Sequence, residues 1–587
     1  MPNIMGCKKT GMEKSLHSGN RKKYNNKWKD RSPIVLMMKH KIYIVLSLIV
    51  ILAFFLRFYK VTEIPPALNW DEVSIGYNAY SILKTGKDEW NQAFPIHFKA
   101  YGEYKLPVQI YASIPGIYFF GLNELGVRIT PVVYGTLTVL VMFFLGRALF
   151  ASSLAGLVSA FLLGVSPWHI QLTRASFESS LAVFFITAGI WFLIKGFTNH
   201  KWFVFSMIPF AVSVFTYNSA RIFTPLFLMV ILFLYRKSLI KFRKVAIISI
   251  VVFTILLLPL VPYLFSGERS ARYKLVSITD DPGLVLRINE NRGRSGLPQP
   301  FARLVHNKVT YVAFYFTGNY LAHFTPQFLF VSGAPHKQHH VQNMGELYFF
   351  QAPFLLLGLF ALFRTKSRFK GLLITWVLLA FIPVSVTNDS IPHALRTLIA
   401  APFYQLVCAL GFMFSLSWFK KRRKSLQILS TAILILSILV SLAWYFYNYY
   451  IIYPKTYSKD WQYGYKKVVD YIGNHKSEYD EIVFSRTYGE PHMFTLFYLN
   501  FDPAKYQIDP NLVRIETNNW VWVLRFDKYY FPDLGDQGTK YEDIITQNKG
   551  KRLLFVGKPG DFPENINRLK IVNFLDGTKV FEIIEKR

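Results

Sequence analysis

The sequence predicts an α-helical polytopic membrane protein of about eleven spans, with a C-terminal extracytoplasmic α/β domain. Three observations predict it. Of the 587 residues, 52% are apolar and 17% charged, against about a quarter charged in soluble domains. Apolar runs long enough to cross a bilayer recur from Ile42 to Phe446, separated by short basic clusters. Beyond residue 447 the pattern changes to an amphipathic helix and short strands divided by turn residues. The mean hydropathy of +0.25 fits the same class.

The apolar runs fall at 42–59, 126–147, 150–166, 179–197, 202–217, 222–235, 245–265, 347–364, 371–387, 397–418 and 426–446. The first reads as a retained span, because Arg57 and Lys60 follow it rather than a small-residue cleavage site. A further stretch, 106–122, is interrupted by Pro107 and Pro115. If it crossed, every later span would flip. The clusters at 236–244, 364–370 and 420–424 all share the side of the basic N-terminal tail only if 106–122 does not cross. Positive charge marks that side as cytoplasmic, which lays 106–122 along the outer interface and gives eleven spans, N-terminus inside and C-terminus outside.

The expected organisation is a basic cytoplasmic tail at 1–41, a transmembrane domain at 42–446 with outer loops 60–125 and 266–346, and an extracytoplasmic α/β domain at 447–587. In that domain, 461–474 reads as a helix; 481–485, 521–526 and 552–556 read as strands; a terminal hairpin turns at Asp576-Gly577. The formal net charge of +32 is a consequence of topology, and no nucleic-acid partner is implied. Cys7 and Cys408 are the two cysteines, which excludes a disulfide framework or a CxxC metal site. No GxxxxGK[ST] or GxGxxG loop marks an ATP-driven pump.

Residues able to do chemistry crowd the outer side. Asp71-Glu72 follow Trp70 in the first outer loop, where adjacent carboxylates suit either a general base or a helix start. Glu103 and Lys105 stand beside the interfacial stretch, and an interface lysine also snorkels for purely structural reasons. Arg174 and Glu178 precede a span, with the same choice between helix-start carboxylate and site residue. Tyr217, Asn218 and Arg221 form another outer turn; Arg269, Arg272, Asn319 and Tyr320 belong to the second outer loop; His393 and Arg396 lie in a last turn with Asp389. His336, His339 and His340 lack the spacing of a metal site with a carboxylate, and a divalent metal cofactor is left open. Carboxylates and cations above an apolar bundle suit an amphiphile with an anionic head and a hydrocarbon tail.

On these residues the chain resembles the GT-C glycosyltransferases, in particular bacterial protein O-mannosyltransferases and lipid A aminoarabinose transferases. The resemblance covers most of 45–415. It rests on Asp71-Glu72 after the first span, Lys105-Leu106-Pro107, Phe120-Gly121 with Val127-Arg128, Ser166-Pro167, Arg174 with Glu178, and Asn319-Tyr320 through Phe330. It implies a polyprenyl-phosphate-linked sugar as donor, a protein or glycolipid acceptor, and a cytoplasmic-membrane location among membrane lipids. It also implies Asp71 as or beside the base, Lys105 on the donor phosphate and Glu178 in support. Ser74 and Ile75 stand where aminoarabinose transferases carry Arg and Tyr, and Tyr104 where they carry an acidic residue. The expected reaction is an inverting transfer to an acceptor hydroxyl, with Arg221, Arg269 and Arg272 as further phosphate-binding candidates. The alternatives are a lipid-linked oligosaccharide ligase or polymerase and a non-catalytic receptor displaying the C-terminal domain. A secondary transporter would place its ionisable groups at the bilayer midplane instead.

Overall fold

A computed structural model describes residues 33–262, 276–517, 520–535 and 538–586. Most of the basic N-terminal tail, and Arg269 and Arg272, lie outside the described residues. All eleven apolar runs contain a helix. Among the described residues, six helices are long and apolar enough to cross a membrane: His40–Phe58, Glu124–Phe150, Glu178–Gly196, Arg236–Leu260, Ala394–Phe419 and Lys424–Thr456. Five more apolar helices are shorter: Ser153–Gly164, Lys201–Val214, Asn218–Leu234, Phe349–Arg364 and Lys370–Ser385. The membrane part packs around one apolar cluster that runs from Leu46 to Trp461.

Four helices frame the candidate site: α1 (Pro33–Phe58), α2 (Trp70–Thr85), α3 (Pro107–Phe120) and α4 (Glu124–Phe150). Polar caps set where α2 and α4 begin. The Asn69 side chain accepts from Glu72 N and the Asn123 side chain from Gly126 N. Helix α3 needs no such cap, because Pro107 occupies a first-turn position where an N–H would go unused. Its 14 residues span about 21 Å, short of a hydrocarbon core of about 30 Å.

Two bundle helices approach at backbone distance. A Cβ on Gly358 would lie 2.0 Å from the Val407 carbonyl oxygen, and one on Gly411 would lie 1.9 Å from that of Phe354. Small residues allow this contact where lipid offers no hydrophobic drive between helices.

The C-terminal part forms a mixed seven-stranded sheet. Its strands are β3 (Glu481–Phe484), β4 (Val513–Thr517), β5 (Trp520–Phe526), β6 (Tyr529–Tyr530), β7 (Leu553–Gly557), β8 (Lys570–Asn573) and β9 (Lys579–Lys586); β1 (Phe98–Lys99) and β2 (Tyr104–Lys105) form a small hairpin in the first outer loop. The order is β4-β5-β6-β3-β7-β9-β8, with β3 parallel to β6 and β7 and the other pairs antiparallel. Period-two alternation divides β3 between two cores. Ile482 and Phe484 face one, while Val483 faces Phe555, Ile584 and the helix Tyr541–Gln547. Three of the expected strands and the hairpin at Gly577 are present, and β4 and β6 are additional.

The first of those cores spans the junction between the first loop and the C-terminal part. It joins Val73, Tyr77, Ile110 and Val127 to Val468, Phe484, Phe497 and Phe581. The first outer loop and the C-terminal sheet thus share one hydrophobic interior. Two acids are buried near their junction. Glu490 accepts from Trp520 Nε1 at 2.7 Å and is pushed up by burial to about 8. Glu89 accepts from Asn78 Nδ2 at 2.9 Å and is pushed up, again by burial, to about 7.

Gly411→Leu is expected to lower the melting temperature in detergent, at an overpacking cost of about 1–3 kcal/mol. Gly293→Ala, where an added Cβ meets nothing within 4 Å, leaves it unchanged. A second expectation concerns pH. The folded protein holds protons on Glu490 and Glu89 that the unfolded chain releases near pH 4.3, so the contribution of these two acids to stability falls as pH rises from 5 to 8. The slope is at most about 1.4 kcal/mol per unit for each acid, and Glu490→Gln flattens it. A difference in stability between wild type and Glu490→Gln that stays constant from pH 5 to 8 contradicts the buried-acid description.

Candidate active site

Asp71 and Glu72 are adjacent in sequence, but a helix turns about 100° per residue and sends them to different places. Glu72 is fully buried. It closes the capping box by accepting from Asn69 N at 3.3 Å, and it also accepts from Ser176 N at 3.0 Å. Both of its oxygens take Arg128, from Nε and Nη2, at 2.9 Å each. Expected beside Asp71 as a catalytic group, Glu72 instead holds the frame together. Asp71 turns outward, with its side chain 37% exposed in a cleft.

Lys105 reaches the same cleft from β2, where it pairs in register with Phe98 just before Pro107 opens α3. Its side chain is 3% exposed and ion-paired with Asp71. Burial disfavours the ammonium, but Asp71, Glu178 and Glu103 outweigh it and raise the lysine above its usual range. The neighbouring carboxylates thus favour the ammonium form of Lys105.

The cleft, a cavity of about 90 Å³, is lined by Asp71, Glu103, Tyr104, Lys105, Glu178 and Tyr217, with Leu106, Phe177, Thr216, Asn218, His339 and Leu395 completing the wall. Sequence-separated segments thus converge on Asp71 and Lys105. Of the expected residues, Asp71, Glu103, Lys105, Glu178, Tyr217 and Asn218 meet there.

Others are placed elsewhere. Arg174 is fully buried and donates to the carbonyls of Leu56, Arg57, Tyr59 and Ile64 at 2.7–3.1 Å, satisfying the frayed end of α1 rather than a substrate. Arg221 Nη2 lies 2.8 Å from His97 Nε2 and is not part of the cleft wall. Asn319 donates to the carbonyls of Ser385 and Thr387, and Tyr320 to that of Leu378, which fastens the helix Lys308–Ala322 to the bundle. Arg396 donates to Thr387 Oγ1 at 2.8 Å and Asp389 Oδ2 at 2.7 Å. His393 stacks on the cleft residue His339, with ring centroids 5.0 Å apart.

Sequence reasoning gave no role to Arg128, Thr216, Tyr104 or Phe177. The Val127-Arg128 pair and the polar turn at Thr216 were visible signals, whereas an isolated tyrosine or phenylalanine carries none. Among the described residues, no three His, Cys, Asp or Glu side chains are grouped to hold a metal ion. His336 and His339 stack face to face at 3.7 Å, and His340 Nδ1 lies 3.0 Å from Glu346 Oε1.

Residues 47–271 match the family model described as dolichyl-phosphate-mannose-protein mannosyltransferase, PMT. No curated protein matches the sequence. Among solved structures, ArnT from Cupriavidus metallidurans in the apo state has a TM-score of 0.52 at 13% identity, over 93% of this chain and 98% of that one. The same enzyme bound to undecaprenyl phosphate has a TM-score of 0.52 at 14% identity, with the same coverage. The Archaeoglobus fulgidus oligosaccharyltransferase in complex with Zn and sulfate has a TM-score of 0.46 at 14% identity over 78% of this chain, which spans 61% of that protein's length. Residues 47–271 are thus similar to the PMT family, and the chain as a whole shares its fold with ArnT.

Proposed function

We propose that this protein is a membrane glycosyltransferase that moves a monosaccharide from a polyprenyl-phosphate donor to a hydroxyl of an extracytoplasmic protein or glycolipid acceptor. The observation that carries the reading is the pairing of Asp71 and Lys105 in one cleft, a carboxylate for the acceptor and a buried cation for the donor phosphate. The similarity to the PMT family and the undecaprenyl phosphate bound to ArnT support the donor class.

The chemistry balances without a general acid. Asp71 takes the proton of the acceptor hydroxyl, whose oxygen forms the new bond to the anomeric carbon. The carbon–oxygen bond to phosphate breaks on the opposite face, and polyprenyl phosphate leaves with the electron pair. Lys105 stabilises the charge gathering on its oxygens. In-line attack inverts the anomeric centre. Glu178 keeps Lys105 cationic, and Glu72 holds Asp71 in place through Arg128.

The same reading takes eleven crossings, with the cleft facing out of the cytoplasmic membrane and the N-terminus inside. Lys105 and Glu178 line one cleft and so share one side of the membrane. Between them stand α3, α4 and the helix Ser153–Gly164. Only an even number of crossings unites the two residues, which supports α4 and Ser153–Gly164 as the crossing pair and α3 as interfacial. Gln109 Nε2 near the start of α3 donates to Ser176 Oγ at 2.7 Å, at the same level as the cleft.

The test uses proteoliposomes and a panel of labelled polyprenyl-phosphate monosaccharides, following release of free polyprenyl phosphate with a hydroxyl acceptor present. Asp71→Asn is expected to cut kcat by about 10²- to 10⁴-fold while the protein still binds donor. A well-folded Asp71→Asn at wild-type rate would falsify the assignment of the base. Lys105→Ala is expected to weaken undecaprenyl phosphate binding and to cut kcat by about 10²-fold. Unchanged binding would remove Lys105 from the phosphate.

A further inference from the structure

The first turn of a helix leaves N–H groups without intrahelical partners, and the position of that turn is set by whatever satisfies them. Trp70 opens α2 and immediately precedes Asp71. Its N–H donates to Gln462 Oε1 at 2.8 Å, across 392 residues of chain. The Gln462 amide is itself oriented, because Nε2 donates to the Tyr488 carbonyl at 2.8 Å. The Trp70 carbonyl accepts from Tyr101 Oη at 2.9 Å. Tyr101 is in turn held by the sheet: its carbonyl accepts from Val521 N at 2.5 Å, and its ring stacks on Trp520.

The indole is gripped as well. Gly489 has φ +88°, and a Cβ added there would lie 2.5 and 2.6 Å from two carbons of the Trp70 six-membered ring. No other residue permits both that backbone conformation and that approach. The indole also meets the rings of Tyr101 and Trp520, with centroids 6.2 and 6.1 Å away. The residue before Asp71 is therefore fixed at its N–H, its carbonyl and its ring, and two of these three holds are made directly by residues beyond 460.

We infer that the C-terminal domain sets the position of the catalytic base, with Gln462 and Gly489 as positioning residues that act through Trp70. The inference rests on Asp71 being the base. The C-terminal domain then serves the reaction itself and is not only a module for choosing the acceptor.

The test measures hydrogen exchange over residues 70–76 in the full-length protein in nanodiscs. Gln462→Leu and Gly489→Ala are each expected to speed exchange there by about 10-fold, while β7 keeps its protection. Trp70→Phe removes ring atoms that the new Cβ strikes but leaves the backbone strain at φ +88°, so Trp70→Phe/Gly489→Ala is expected to recover part of the protection lost in Gly489→Ala. Unchanged exchange at 70–76, or equal loosening of β7, overturns the inference. With a donor that the wild type turns over, both single variants are expected to lower kcat by about 10- to 100-fold and to leave the donor KM within about 3-fold. Wild-type kcat alongside fast local exchange overturns the catalytic purpose of the hold. Full activity of Asp71→Asn would instead refute the base, and the exchange result would still stand.

Discussion

The buried ion pair between Glu72 and Arg128 organises the segments around the candidate cleft. Burying two charges costs several kcal/mol per ion unless geometry and further hydrogen bonds compensate, and here they do. Arg128 is fully buried, and beyond Glu72 it donates to the carbonyls of Val61, Pro65 and Ala67. Glu72 meanwhile accepts from Asn69 N and Ser176 N. One pair thus ties the loop after the first helix, the start of α2, the start of α4 and the turn before Glu178. Those segments bring Asp71, Lys105 and Glu178 to one cleft. The C-terminal part joins the same knot, with the Trp461 ring 5.8 Å from the Arg128 guanidinium and Lys466 paired with Glu124 at 2.9 Å.

The same device recurs at the end of α1. The last carbonyls of a helix lack partners, and near a membrane surface inside packed protein water cannot supply them. Arg174 donates to four carbonyls there, while Arg57 donates to those of Ala53 and Gly164 and lies 2.7 Å from His169. These arginines are structural because of what they satisfy. Lys105 differs because its ammonium meets Asp71, a group that also opens to solvent, so an incoming phosphate can compete for it.

Hydrophobic packing makes the first outer loop and the C-terminal sheet one body. Val73 and Tyr77 on α2 share a core with Phe497 and Phe581, and Gly76 leaves just enough room for the Phe497 ring. The proposed catalytic helix therefore has the membrane bundle on one side and the sheet on the other. A rigid support of this kind suits an in-line displacement, where small errors in distance are costly.

By itself the sequence determined the membrane class, the eleven helical runs, the sheet character of the C-terminal part, and Asp71, Lys105 and Glu178 as candidates at or beyond the ends of the apolar runs. Hydropathy over about 20 residues and alternation over about five are local signals, readable without any partner. Tertiary structure alone decided which of two adjacent carboxylates faces the cleft, since a rotation of about 100° is invisible in composition. It also separated Arg174, held by four carbonyls of the chain, from Lys105 in the cleft. No spacing rule links Gln462 and Gly489 to Trp70, because the contact exists only once the sheet has docked on the first loop. Burial and long-range hydrogen bonding are properties of the assembled fold, and they are what distinguish a structural charge from a chemical one.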